Sequence, residues 1–241
     1  RQGPRDFPAI ALYAQNEEGY RNLMALSSEA FLDTDAAERP HVGIETLAGR
    51  TAGLIALTGG SDGPVNQALL GERPEQALGR LRRLSDLFND RLYVELQRHG
   101  MDGELLCEPA LLDMAYDLSV PLAASNDVLF PKADDFEAHD ALLCVAEGRL
   151  LSENKRRRMT PEHYFKSRSE MGKLFEDLPE ALANTVEIAT RCSYWPQPAK
   201  PMTPNLAAGE AAEESLVAAR AQGVFTRRPR ASGPTAVPCD T

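Results

Sequence analysis

Glu95 and His99 stand four residues apart where the apolar run Leu92–Leu96 ends, and Asp127 follows a second run, Val120–Ala124. Carboxylates and imidazoles are the donors that hold zinc, manganese or magnesium. In a β/α protein such side chains converge at the C-terminal ends of strands. A third run, Leu54–Leu57, ends in Thr58-Gly59-Gly60, with no metal-ligand side chain of this kind. Taken singly, each residue also has an ordinary reading. A lone histidine after a strand is commonly a surface or hydrogen-bonding residue. Asn126-Asp127 is common turn chemistry. Glu95 lies between Val94 and Leu96, so alternation turns it to the opposite face, toward a barrel lumen or toward solvent. The three together make a stronger case, because they sit at comparable ends of two strands.

Other polar clusters carry less. His139 and His163 lie in helical patterns among charged residues and read as surface or packing residues. His41 reads as a loop residue with no partner, and Lys155-Arg156-Arg157-Arg158 as a solvated loop. No GxxxxGK[ST], GxSxG or HExxH word occurs, and no aspartate pair of the kind that holds two magnesium ions in nucleotidyl transfer.

The elements that must position these residues follow from periodicity. Strands are expected at Ala9–Ala14, Leu54–Leu57, Leu92–Leu96 and Leu118–Ala124. Helices are expected at Glu17–Phe31, Pro74–Phe88 and Glu104–Asp117. This alternation predicts parallel strands with helical crossovers, an α/β sheet or barrel. The pattern then changes to helices at Asp134–Glu147, Thr160–Phe175 and Pro179–Cys192. Thr160-Pro161-Glu162 is a strong opening, with threonine as cap and proline in the first position. Pro196–Pro204 holds four prolines and reads as a linker, and Gly209–Gln222 as a short helix.

The chain has 241 residues, 43% hydrophobic and 26% charged, which suits one large globular domain or two small ones. A net charge of −10 argues against a free-standing duplex-DNA binder, which needs a positive surface. Four cysteines without a CxxC pair read as reduced thiols, so a cytoplasmic location is expected. No run is long and apolar enough to span a bilayer, and no membrane partner is expected. The start, Arg1-Gln2-Gly3-Pro4, has no methionine and reads as a cut.

Several longer words are familiar. Leu12–Met24, Tyr93-Val94-Glu95-Leu96-Gln97-Arg98-His99-Gly100 and Ala124–Val128 resemble the bacterial DNA polymerase III alpha subunit family, within its PHP (polymerase and histidinol phosphatase) domain. So do Ala138–Cys144 through Pro161–Ser167, and Pro179–Thr185. The resemblance covers about residues 8–206, in order and almost without gaps.

This resemblance implies an α/β fold: a partial PHP-type, distorted seven-stranded β/α barrel followed by helices leading toward the polymerase palm. The implied layout is a partial barrel lacking its N-terminal strands at 1–147 and a helical end at 148–195. A Pro-rich linker at 196–208 and the start of a palm-like helix at 209–223 follow. The last stretch, 224–241, reads as disordered or out of frame, as a frameshift would leave it. Members with a complete site carry metal ligands at the strand ends, beginning with a His-x-His motif upstream of this chain's first residue. A cysteine is expected where Gly60 stands, and a histidine where Leu129 stands. His99 matches a ligand position and Glu95 accompanies it. The resemblance therefore implies a vestigial metal site of His99, Asp127 and Glu95, with Gly60 and Leu129 replacing expected ligands.

The polymerase aspartates of the family lie outside this chain, so no catalytic residue is assigned and the chain alone is expected to be inactive. It is expected to bind no cofactor, with magnesium expected in the parent polymerase. The implied role is a scaffold and a docking surface for the proofreading exonuclease subunit. The sliding clamp, the clamp loader and primer-template DNA would meet the parent through its other parts. The alternatives are a metal-dependent PHP phosphoesterase and the error-prone paralogue of the same subunit. A barrel without its first strands leaves an open edge, so aggregation is expected on isolated expression.

Overall fold

The computed structural model describes residues 7–153 and 155–198, with Ala218 besides. Four strands form one sheet in the order β1 (Ala11–Ala14), β2 (Leu54–Leu57), β3 (Leu92–Leu96) and β4 (Leu122–Ala124). Strands β2, β3 and β4 are mutually parallel. Every residue of these three is buried, as a sheet covered on both faces requires. Alternation divides them. Leu54, Ala56, Leu92, Val94, Leu96, Leu122 and Ala124 enter the main core, whereas Ile55, Leu57, Tyr93 and Ala123 form a smaller cluster. Glu95, two residues after Tyr93, takes the Tyr93 side.

Eight α-helices accompany the sheet among the described residues: α1 (Glu17–Leu32), α2 (Ile44–Ala48), α3 (Pro64–Leu70), α4 (Pro74–Phe88), α5 (Asp102–Asp117), α6 (Phe136–Glu147), α7 (Arg168–Leu174) and α8 (Pro179–Arg191). Helix α4 shows why the main core forms. Pro74 opens it, and Ala77, Leu81, Leu84 and Phe88 make one buried stripe. Burying each of the larger three contributes roughly 1.5–3 kcal/mol. Helix α8 closes the β4 side. Ala181 enters the main core, Ile188 packs on the smaller cluster, and Asn184 Nδ2 donates to the Leu122 carbonyl at 2.8 Å.

Strand β1 departs from the expected parallel order. It pairs with β2 antiparallel, Ala14 opposite Leu54. The connection makes two passes where a simple crossover makes one. Helix α1 leads away from the end of β1, and residues 33–53 with α2 lead back to the same end. The return is tight: a Cβ on Gly19 would overlap the Gly53 carbonyl, and Gly53 has φ +66°. Asn16 caps α1 beside this contact, its Oδ1 accepting from the Gly19 N–H at 2.9 Å.

The helix expected over Thr160–Phe175 is broken. Pro161–His163 is a single 3₁₀ turn, Tyr164 bridges Phe130, and α7 starts only at Arg168. The Leu129 N–H donates to the His163 carbonyl at 2.9 Å and the Phe165 N–H to the Phe130 carbonyl at 3.1 Å, so this backbone is spent on pairing. Ser167 and Glu170 then form a fresh capping box. Helices α2 and α3 were not expected from periodicity. His41 has a partner after all, stacked on Phe7 with centroids 3.8 Å apart. Arg156 is not solvated: its guanidinium grips Asp140 through two bonds, at 2.5 and 2.6 Å. The expected linker, apart from residues 196–198, lies outside the described residues; so do the 209–223 helix, apart from Ala218, and the 224–241 tail. No described helix is long and apolar enough to cross a membrane.

Candidate functional site

Three parallel strands ending side by side bring Gly60, Gln97, His99, Ser125 and Asn126 to one end of the sheet. Cross-links continue beyond the strands themselves. The Glu95 N–H donates to Thr58 Oγ1 at 3.0 Å, and the Ser125 N–H donates to the Leu96 carbonyl at 2.9 Å.

One half of the site centres on Glu95, which is buried. Its Oε1 accepts from Ser125 Oγ at 2.5 Å and from Gln97 Nε2 at 3.0 Å, and the same Nε2 lies 3.2 Å from Ser125 Oγ. The Gln97 amide lies over Gly60, where a Cβ would overlap it. Glu95 also acts across the sheet on Tyr13: burial pushes that phenol up, and the Glu95 charge adds to the rise.

The other half centres on His99, 1% exposed. Gly100, at φ +73°, turns the chain straight into α5. Glu104, in the first turn of α5, reaches back to the chain before the helix. It accepts from His99 Nδ1 at 2.7 Å, from the His99 N–H at 2.6 Å and from the Met101 N–H at 3.2 Å. Burial by itself would raise the Glu104 pKa, but these three hydrogen bonds outweigh it and hold the carboxyl below its usual range. The ionised Glu104 fixes the imidazole proton on Nδ1. Nε2 then accepts from the Asp127 N–H at 3.2 Å when the ring is neutral. Asn126 Oδ1 lies 3.0 Å from Nε2, an acceptor that bonds this nitrogen only if it carries a proton, and its own amide nitrogen donates to the Tyr164 carbonyl at 2.9 Å.

His163 stacks on His99, centroids 4.1 Å apart and planes 16° from parallel. It is 2% exposed. Burial pushes its pKa down and the His99 imidazole pushes further. Thr160 completes the clasp, its hydroxyl donating to the His99 carbonyl at 2.6 Å. At the rim, Arg98 binds Glu108, Asp177 and the Leu174 carbonyl and lies over the Phe175 ring.

The structure thus places Glu95 and His99 at one strand end, as the alternation and spacing suggest. Asp127 approaches His99 through its backbone, and its side chain is exposed. Leu129 serves through its backbone N–H to His163. Gln97, Glu104 and Ser125 were not singled out from sequence, while Asn126 was read as turn chemistry, Thr160 as a helix cap and His163 as a surface or packing residue. Only Glu104 carried a signal, as a carboxylate in the first turn of a helix directly after the histidine. Among the described residues, no three His, Cys, Asp or Glu side chains are placed to hold a metal ion. The polar donors and acceptors bind one another, and this set does not fit a metal.

Comparison with known proteins places this geometry. The PHP domain family matches residues 4–99, which ends on His99. The chain is 45% identical over 208 residues to the DNA polymerase III subunit alpha of Caulobacter vibrioides, covering 86% of this chain and 18% of that protein. It is 38% identical over 197 residues to the subunit of the same name from Pseudomonas aeruginosa, covering 81% of this chain and 17% of that protein. For Vibrio cholerae the figures are 35% over 220 residues, 90% and 19%. Over most of its length the chain is thus similar in sequence to DNA polymerase III alpha subunits. It spans about a fifth of the length of the curated relatives it matches. The PHP match covers β1 to β3 and ends on His99, and Glu104, the partner of that imidazole, lies just beyond it.

Proposed function

We propose that this chain is the PHP-domain part of a DNA polymerase III alpha subunit and serves it as a scaffold. The carrying observation is 35–45% identity to alpha subunits across most of the chain. The parent would synthesise DNA on a template, a nucleotidyl transfer that uses magnesium held by residues beyond this chain. It would work in the cytoplasm beside a sliding clamp and clamp loader. The PHP surface would dock the proofreading exonuclease. The four-stranded sheet would be part of a seven-stranded barrel. In support, β2, β3 and β4 run parallel and are buried along their whole length.

Glu95, His99 and Asp127 are read as the remnant of a metal site. In support, the buried Glu95 and His99 are engaged by neighbouring protein groups. The test uses the full-length parent polypeptide. Immobilised parent should retain the purified exonuclease of the same organism, and failure to retain it would remove the docking role. Manganese-dependent hydrolysis of p-nitrophenyl phosphate, abolished by His99→Ala, would overturn the scaffold reading in favour of a phosphoesterase.

A further inference from the structure

The one feature of the strand-end site that family resemblance leaves unexplained is what fills the place of the missing side chain at position 60. Gly60 does not take a left-handed conformation, so its backbone tolerates a side chain. The obstacle is Gln97, whose amide stands where the Cβ would go. That amide is not there by default. Its nitrogen donates to Glu95 Oε1 at 3.0 Å and lies 3.2 Å from Ser125 Oγ, so one group contacts side chains at the ends of β3 and β4 and covers the end of β2. Beneath it remains a cavity of about 10 Å³, lined by Gly60, Ser61, Asn66, Glu95 and Gln97 among others. That is room for one water and no more. Asn66 Oδ1 is buried without a protein partner, and a bound water would satisfy it.

We infer that Gln97 is a positioning residue that locks the strand ends together and closes this site to metal. Its amide contacts both partners of the direct Ser125–Glu95 hydrogen bond and braces that pair, the task a coordinated ion would otherwise perform. Gly60 is then the partner of Gln97: a Cβ at position 60 would push the amide off Glu95 and Ser125.

The test is a double-mutant cycle in the full-length parent, read by the thermal midpoint of the PHP domain and by metal retained after dialysis against zinc or manganese. Gly60→Ala alone should lower the midpoint by roughly 2–4 °C, the shift about 1 kcal/mol gives in a domain of this size. Gln97→Ala alone should lower it similarly. In the Gln97→Ala background, Gly60→Ala should cost little, because the overlap is gone. The unaltered protein should retain no zinc or manganese beyond that retained by His99→Ala. Additive costs for the two substitutions would overturn the lock and leave the scaffold reading standing. Retention of metal by the unaltered protein, lost in His99→Ala, would overturn both.

Discussion

The His163 imidazole, stacked on His99, makes the acid stability of this domain depend on a single proton. His163 titrates at an ordinary 6.5 when unfolded and lower when folded, first through burial and then through His99. A depressed folded pKa favours the neutral ring. Its contribution is complete above 6.5 and is lost as pH falls through the lower, folded value. Glu104 acts in the same direction at lower pH, its carboxylate contribution present above 4.5 and lost as pH falls through the depressed folded value. The urea midpoint should therefore fall between neutral and mildly acidic pH, before the carboxylates titrate. His163→Phe should flatten that first limb; an unchanged limb would show that another group sets it. A second residue, Gly19, is constrained by space alone. Gly19→Ala drives a Cβ into the Gly53 carbonyl and should cost about 1–3 kcal/mol by urea unfolding. A loss within the scatter of surface substitutions would mean that α1 can shift.

Between elements, the Arg98 side chain is the main polar tie at the site rim. It joins the end of β3 to α5 through Glu108 and to the α7–α8 turn through Asp177 and the Leu174 carbonyl. Arg98→Met keeps the stem over Phe175 but leaves two carboxylates without their cation. Because the guanidinium is one-fifth exposed, a loss of about 2 kcal/mol is expected, below the full cost of breaking a buried pair. Faster amide exchange confined to α7 and the start of α8 would mark the released elements. The elements were legible in sequence wherever one face buries apolar groups. The α4 stripe and strands β2 and β3 follow directly from spacing. What could not be read was set by distant backbone. The β1 direction depends on how residues 33–53 return. The break at Tyr164 depends on pairing with Phe130, a partner 34 positions away in the chain. Likewise the position of His99 after a strand was legible, but its clasp by Glu104, Asn126 and Thr160 required the fold.

At the scale of the whole described molecule, α6 is the element least accounted for by its own packing. It buries Asp140 and Cys144 and exposes Leu142 and Val145, 66% and 80% accessible, one turn apart on the other side. An apolar stripe turned outward favours association when nothing covers it. The double substitution Leu142→Lys, Val145→Lys should reduce self-association of the isolated chain in sedimentation velocity. It should change unfolding free energy by no more than about 0.5 kcal/mol per site. Unchanged association would place the sticky surface elsewhere.

The antiparallel course of β1 has a practical consequence. Ala11 pairs with Leu57, and the Ala9 N–H donates to the Asp62 carbonyl at 2.9 Å, so the polypeptide comes into the sheet beside the Gly59–Gly60 turn. The backbone ahead of β1 thereby closes on the end of β2, where a Cβ on Gly59 would meet the Ala9 carbonyl. Bulk introduced at Gly59 would therefore disturb the edge strand and the strand-end site together.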